Sequence, residues 1–178
     1  MKTIGMLLFL GGIAGVLHSW MHSLKERERK IEEFLLFFQK SIGVMETEKI
    51  RVMDYFKSYA SKQVRATHTE GVLLKKILIE IATRLASNTY PSGQMVWEEV
   101  FLEEKECLGL DNESFLVLLQ AGNGFFGRSR EENIRFLEKS VKELEKTQKQ
   151  MKEKHVKERK VWIPVGMLGA VMLAILFV

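Results

Sequence analysis

The sequence is poor in cysteine and proline, the residues that would indicate disulfides and many turns. It has one cysteine, Cys107, and two prolines among 178 residues. A single cysteine excludes an intrachain disulfide framework and fits a reducing compartment. A low proline content, with 28% charged residues, is typical of a helical domain. Because no stretch shows sustained alternation of apolar and polar residues, we predict an all-α protein without a sheet.

The chain also lacks a basic face of the kind that binds nucleic acid. Its net charge is +4, but residues 25–30 and 152–160 together carry +5, which leaves −1 for the remainder. We therefore predict no nucleic-acid partner. The basic residues in these two flanks are Lys25, Arg27, Arg29, Lys30, Lys152, Lys154, Lys157, Arg159 and Lys160.

Each basic flank adjoins an apolar run at one end of the chain. Residues 161–178 carry no charge, and a helix of this length reaches about 27 Å, close to the hydrocarbon thickness of a bilayer. A second run, 3–21, is shorter and richer in glycine, so a signal peptide is an alternative. Only Lys2 precedes it and no convincing cleavage site follows, which favours an uncleaved anchor.

The two flanks predict the orientation of these transmembrane helices. Both lie on the inner side of their apolar runs, and the positive-inside rule places positive flanks in the cytoplasm. We predict a two-span protein with the lipid bilayer as a partner and a cytoplasmic domain of residues 25–160 between the spans.

The central domain is predicted to be a bundle of five to six helices. Apolar residues recur at three- and four-residue intervals over 31–45, 52–59, 74–85, 95–106 and 115–121, with a turn at 88–93. Ser129 followed by Glu132 is a capping box that starts a last, long helix. A heptad pattern runs along it from Ile134 to Met151, so self-association through a coiled coil is possible.

One motif resembles a nucleotide site. Residues 122–127 (GNGFFG) match the G-x-G-x-x-G pattern, which binds dinucleotides when it follows a strand in a βαβ unit. Here the preceding segment is helical. We therefore interpret the glycines as a tight corner between helices that needs unusual backbone angles, and we predict no cofactor.

Other candidate groups do not assemble a catalytic or metal site. His18 and His22 have the i, i+4 spacing of paired metal ligands, but no third ligand is evident. The glutamates at 98, 99, 103, 104 and 106 are interpreted as a solvated face, with docking of a basic partner as the functional alternative. Cys107 has no histidine at a suitable spacing and is expected to be packed. We predict no enzyme.

These features resemble the stage III sporulation protein AB family. Its members have a short N-terminal span, a helical domain and a C-terminal span. Trp97 is similar to a tryptophan of the family, and the family's Leu-Gly-x-Ser motif and polar pair correspond to Phe126, Gly127, Ser129 and Asn133. The sequence departs from the pattern at Gly122, Arg130 and Ile134, and the family's Thr-Pro motif is absent.

The resemblance implies a helical domain similar to that of type II secretion F proteins, which are membrane platforms that contact a cytoplasmic ATPase. It implies a position in the mother-cell membrane facing the forespore, with other stage III proteins and a secretion-type ATPase as partners. The leading hypothesis is therefore a non-enzymatic platform subunit. A membrane-anchored coiled-coil scaffold and, more weakly, a nucleotide-dependent enzyme are the alternatives.

Overall fold

Every regular element of the protein is an α-helix in the computed structural model, which describes residues 2–62, 71–87 and 89–177 but not most side chains of 1–20 and 161–178. The all-α prediction is confirmed for these ranges. The helices are α1 Lys2–Thr47, α2 Val52–Lys62, α3 Val72–Ala86, α4 Gly93–Glu103, α5 Lys105–Leu108, α6 Asn112–Ala121, α7 Asn123–Phe126 and α8 Arg130–Phe177.

The chain divides into two compact units. One comprises residues 27–147, and the other comprises residues 1–26 together with 148–178. The long helices α1 and α8 each contribute to both units. Among the described residues, none of the helices combines the length and the hydrophobicity that a membrane span requires. Most side chains of the predicted spans 3–21 and 161–178 lie outside those residues.

The unit 27–147 is a helical bundle around an aromatic core. The second half of α1 supplies the buried side chains Ile31, Phe34, Phe37 and Phe38, whose three- and four-residue spacing places them on one side of the helix. Burial of large apolar side chains is the main force that holds such a bundle together. Further buried residues come from the other helices and include Phe56, Leu74, Ile77, Leu78, Ile81, Trp97, Phe101, Leu118, Phe125 and Leu144.

Local signals explain where α4 and α5 begin and end. Ser92 has extended backbone angles and its side chain accepts a hydrogen bond from the amide of Met95, which starts α4. The helix predicted over 95–106 is interrupted at Glu104, after which α5 makes a single turn. Gly109 then adopts a left-handed conformation at φ 59°, which is the usual glycine ending of a helix.

Candidate functional site

The residues of the family motif meet at the corner between α6 and α8. Asp111 caps α6 at its start, and Gly122 to Gly127 form the turn that contains α7. The prediction of unusual backbone angles for these glycines is wrong. Gly122 has φ −53° and Gly127 has φ −70°, both ordinary values. Left-handed angles occur instead at Gly71 and Gly109 among the described glycines.

Close packing is what requires glycine at this corner. A Cβ atom on Gly122 would lie 2.7 Å from Cδ1 of Trp97, and one on Gly124 would lie 2.5 Å from Cγ of Leu137. A Cβ atom on Gly127 would overlap the side-chain oxygen of Asn133. Real Cβ atoms are not found at such distances, so these glycines let α7 approach α4 and α8 directly. We call residues 122–127 with these neighbours the glycine corner.

The glycine corner has no room for a nucleotide. In a dinucleotide site the glycines leave space for the pyrophosphate beside a strand and a helix N-terminus. Here the same space is filled by side chains of the protein, and a helix precedes the motif. The geometry therefore supports a structural joint between helices at this sequence motif.

Trp97 is the buried centre of this region. Its side chain is fully buried, and its indole Nε1 donates a hydrogen bond of 2.9 Å to the carbonyl oxygen of Leu118. The ring stacks on Phe101 at a centroid distance of 4.6 Å and lies 5.2 Å from Phe125. A buried tryptophan needs such a partner for its N–H group, and the end of α6 provides one.

Sequence reasoning missed Phe125, which links several helices. Its ring lies 5.5 Å from Phe37 of α1 and 5.0 Å from Phe56 of α2, as well as beside Trp97. Phe125 is adjacent to the motif residue Phe126, in a segment whose apolar residues show no helical periodicity. Its position within the motif was the available signal, since one of two consecutive aromatic residues in a tight turn must face the core.

The remaining motif residues fix the start of α8 and the entry to α4. Ser129 accepts a hydrogen bond of 3.1 Å from the amide of Glu132, which confirms the predicted cap. The ring of Phe126 packs where a Cβ atom on Gly93 would be. The buried Oδ1 of Asn133 has no hydrogen-bond partner among the described residues.

The departures from the family pattern leave the packing of the glycine corner intact. Arg130 is exposed in the first turn of α8, and Ile134 is half-buried one turn later. Gly122 is buried against Trp97, where a larger residue would overlap the indole ring. None of the three removes a contact that defines the glycine corner.

Much of the acidic surface is paired with bases of α3. Arg84 contacts Glu80 and Glu103 at 2.7 Å each and Glu99 at 3.7 Å. Its hydrogen bond lowers the pKa of Glu103, and the carboxylates raise the pKa of the guanidinium. Lys76 pairs with Glu104 at 2.6 Å, and this hydrogen bond raises the pKa of the ammonium group. The predicted solvated face is thus partly an ion-pair network between α3 and α4.

The predicted basic flanks differ in their local contacts. Lys30 donates hydrogen bonds to the carbonyl oxygens of Cys107 at 2.8 Å and Leu108 at 3.1 Å, which places its charge at the end of α5. Arg29 lies 3.8 Å from Glu33. Exposed side chains are found at Lys25, Arg27, Lys152, Lys154, Lys157 and Lys160, whereas the side chain of Arg159 lies outside those described.

The side chain of Cys107 is exposed, so the prediction that it is packed is wrong. The helix α5 is a single turn, and Leu108 is its buried residue. The adjacent Cys107 is therefore left at the surface. Among the side chains that the structure describes, no group of three histidine, cysteine or carboxylate residues could hold a metal ion. The side chain of His18 lies outside the described set, and His22 is exposed.

The heptad pattern of α8 is used inside the bundle over its first half. Leu137 and Leu144 are fully buried, and Val141 is nearly so. Ile134, Gln148 and Met151 are half-buried. Because the strongest apolar positions already pack against the same chain, they are not available to pair with a second copy through a coiled coil.

Comparison with known proteins places this architecture in a family. The family profile of stage III sporulation protein AB matches residues 2–178. A solved structure of a stage III sporulation protein AB has the same fold, with a TM-score of 0.61 and 15% identity. The similarity covers 74% of this chain and 98% of that one. No curated protein sequence matches the chain significantly. This protein therefore belongs to the stage III sporulation protein AB family.

Proposed function

We propose that the protein is a non-enzymatic membrane platform subunit of the stage III sporulation complex. The helical domain binds a cytoplasmic secretion-type ATPase, and two membrane spans connect it to the membrane components of the complex. The protein sits in the mother-cell membrane that faces the forespore. The observation that carries this proposal is the family match, which extends over residues 2–178 and so includes both apolar ends.

The nature of the motif residues supports a platform rather than an enzyme. Trp97, Gly127 and Asn133 pack the joint between α4, α7 and α8, and none of them is arranged with a nucleophile and a base. A family motif whose residues pack helices together preserves the shape of the domain. A domain of defined shape is what a docking platform supplies to its partners.

The apolar ends support the two-span arrangement. Residues 161–178 carry no charge and residues 3–21 carry none either, while basic residues follow or precede them on the side of the domain. The coiled-coil scaffold that was the alternative loses its main support, because the apolar positions of α8 around Leu137 and Leu144 are buried in the bundle.

The orientation can be tested with the native Cys107, the one cysteine of the chain, because its side chain is exposed. In vegetative cells that produce the protein in their cell membrane, a maleimide that cannot cross a bilayer should label Cys107 in inside-out vesicles and leave intact protoplasts unlabelled. The matched control is Cys107→Ser/Lys2→Cys, for which the labelling pattern should be reversed. Labelling of Cys107 in intact protoplasts would refute a cytoplasmic domain.

The platform role has a separate test. Affinity purification of the full chain from sporulating cells in mild detergent should recover the ATPase of the stage III complex, identified by an antibody raised against it. A variant that dismantles the glycine corner, Gly124→Leu, should lose this recovery and block sporulation. Normal sporulation after deletion of the protein, or absence of the ATPase from the purified sample, would refute the proposal.

A further inference from the structure

The outer face of α4 combines exposed apolar residues with carboxylates. Met95 and Leu102 are 49% and 56% exposed, and a spacing of seven residues places them on the same side of the helix. Glu98 and Glu99 lie between them on that side and are exposed as well. We call these four residues the α4 face. Exposed apolar residues next to charges are typical of a surface that binds another protein.

The negative charge around this face is only partly balanced by its surroundings. Residues 93–121 contain seven carboxylates and a single basic residue, Lys105, within a chain of net charge +4. The nearest bases of α3, Arg84 and Lys76, form close ion pairs with Glu80, Glu103 and Glu104, and Arg84 also lies 3.7 Å from Glu99. The carboxylate of Glu98 accepts a hydrogen bond of 2.6 Å from the Gln94 side-chain amide, a neutral donor that leaves its charge uncompensated.

A face of the opposite charge occurs on the second half of α8. Lys149, Lys152, Val156 and Lys160 follow one another at intervals of three and four residues, so they share one side of the helix. All four are exposed, and Val156 is 54% exposed. We call them the α8 face. Glu153 lies on the same side, so the net charge of this side remains positive.

The lysines of the α8 face are available for a partner. Among the described side chains, no salt bridge involves Lys149, Lys152 or Lys160. The α4 face extends about 10 Å from Met95 to Leu102 and the α8 face about 16 Å from Lys149 to Lys160, so the α4 face fits within the length of the α8 face. On the α4 face two carboxylates lie between apolar residues, and on the α8 face an apolar residue lies between lysines, so the two faces carry charges of opposite sign.

From these features we infer that the protein binds a second copy of itself, with the α4 face of one copy on the α8 face of the next. The glutamates of the α4 face pair with the lysines of the α8 face, and the apolar side chains beside them come into contact. This is a heterologous contact, because the two surfaces that meet are different. Each copy in such an assembly still has one face of each kind for its two neighbours. The copies therefore either close into a ring or extend as a row.

This assembly differs from the coiled coil predicted from the sequence. A coiled coil joins the same heptad positions of two copies of α8, and those around Leu137 and Leu144 are buried. The proposed contact uses neither residue. It also does not depend on the proposed role in the stage III complex, because it rests on two surfaces of this chain alone.

The test is a reciprocal charge exchange in the full-length protein, purified in a micelle of zwitterionic detergent. Sedimentation equilibrium at 50 mM salt should show self-association that weakens at 500 mM salt. Glu98→Lys/Glu99→Lys alone, or Lys149→Glu/Lys152→Glu alone, should weaken self-association at least tenfold. When these two variants are mixed, a charge-reversed α4 face meets a charge-reversed α8 face, and association between the two variants should recover.

Two controls separate this contact from general effects of charge. Glu46→Lys/Glu48→Lys reverses two exposed carboxylates at the end of α1 and just after it, and should leave self-association unchanged. Leu102→Gln keeps every charge but removes an apolar contact, and should weaken association with its helical content retained. A wild-type chain that stays monomeric at low salt overturns the proposal. So does self-association that both charge reversals leave intact, or a mixture of the two variants that fails to associate.

Discussion

The indole N–H of Trp97 donates a hydrogen bond of 2.9 Å to the carbonyl oxygen of Leu118, twenty-one residues further along the chain. Leu118 is among the last four residues of α6, whose carbonyl groups have no amide partner within their own helix. The amide of Gly122, which would reach this oxygen in a continued α-helix, bonds to Leu119 instead. Trp97 thus satisfies a buried acceptor and joins α4 to the end of α6.

Replacing Trp97 by phenylalanine should therefore cost more than the loss of ring volume alone. Trp97→Phe leaves the Leu118 carbonyl buried without a donor and opens a gap against Phe101 and Phe125. We expect the free energy of unfolding to fall by about 2–4 kcal/mol. Urea denaturation of a fragment covering residues 25–160 measures this. The exposed Met95 on the same helix is the control, since Met95→Ala should change stability by less than about 0.5 kcal/mol.

Two glycines should respond to alanine in opposite directions. At Gly124 an added Cβ atom would meet Cγ of Leu137 at 2.5 Å and the carbonyl oxygen of Asn133 at 3.1 Å, so Gly124→Ala should lose about 1–3 kcal/mol of stability. At Gly43, within α1, nothing lies within 4 Å. Gly43→Ala should gain about 0.5–1 kcal/mol because alanine is the better helix former.

Chemical denaturation of the two variants side by side gives the comparison. Equal effects of the two substitutions would contradict a packing role for the glycine corner. A stable Gly124→Ala protein would mean that α7 can move away from α8 at little cost.

The helices followed from the sequence because they depend on local patterns. The spacing of Phe34 and Phe38, the cap at Ser129 and the turn before α4 each involve residues that are close in the chain. The break at Glu104 escaped this reasoning. It depends on Lys76 and Lys30, which hold the Glu104 side chain and the end of α5 from distant helices.

The residues of the candidate site could be identified from the sequence, but their contacts with one another could not be predicted. Trp97, Gly127 and Asn133 were singled out by resemblance, yet nothing in their spacing shows that Gly127 touches the side chain of Asn133. Phe125 was missed because its partners Phe37 and Phe56 are far away in sequence. Contacts of this kind are set by tertiary packing, which local periodicity does not encode.

Lys30 should contribute to the stability of the bundle in addition to any role at the membrane. Its ammonium group donates to two carbonyl oxygens at the end of α5, where a positive charge also interacts favourably with the helix dipole. Lys30→Met retains most of the aliphatic chain and removes the donor. We expect a loss of about 1 kcal/mol in the unfolding free energy.

Thermal denaturation followed by circular dichroism checks this prediction. Lys142→Met is the matched control because Lys142 is exposed on α8, and its melting temperature should remain that of the wild type. If the two variants melt together, the contact between Lys30 and α5 contributes nothing to stability.

Tyr55 should make the stability of the domain depend on pH above 10. Burial raises the pKa of its phenol from 10.0 to about 12, while the Ser41 hydroxyl, 3.1 Å from the phenol oxygen, partly opposes the shift. The unfolded chain loses this proton at lower pH than the folded one. The stabilisation is therefore complete below pH 10 and is lost as the pH rises from 10 to 12.

At pH 11 the difference corresponds to about 1 kcal/mol, after allowance for partial solvation of the ring. The measurement is the change in unfolding free energy between pH 9 and pH 11, obtained by urea denaturation. Tyr55→Phe should reduce this change by about that amount, whereas Tyr90→Phe, which alters a tyrosine in the turn before α4, should leave it unaltered. The slope is the change in unfolding free energy with pH. Comparing it among the three proteins isolates the contribution of the Tyr55 phenol, because lysine titration is common to all three. An unchanged slope in Tyr55→Phe would mean that the phenol titrates alike in the folded and unfolded chains, and that the Tyr55 pocket admits water.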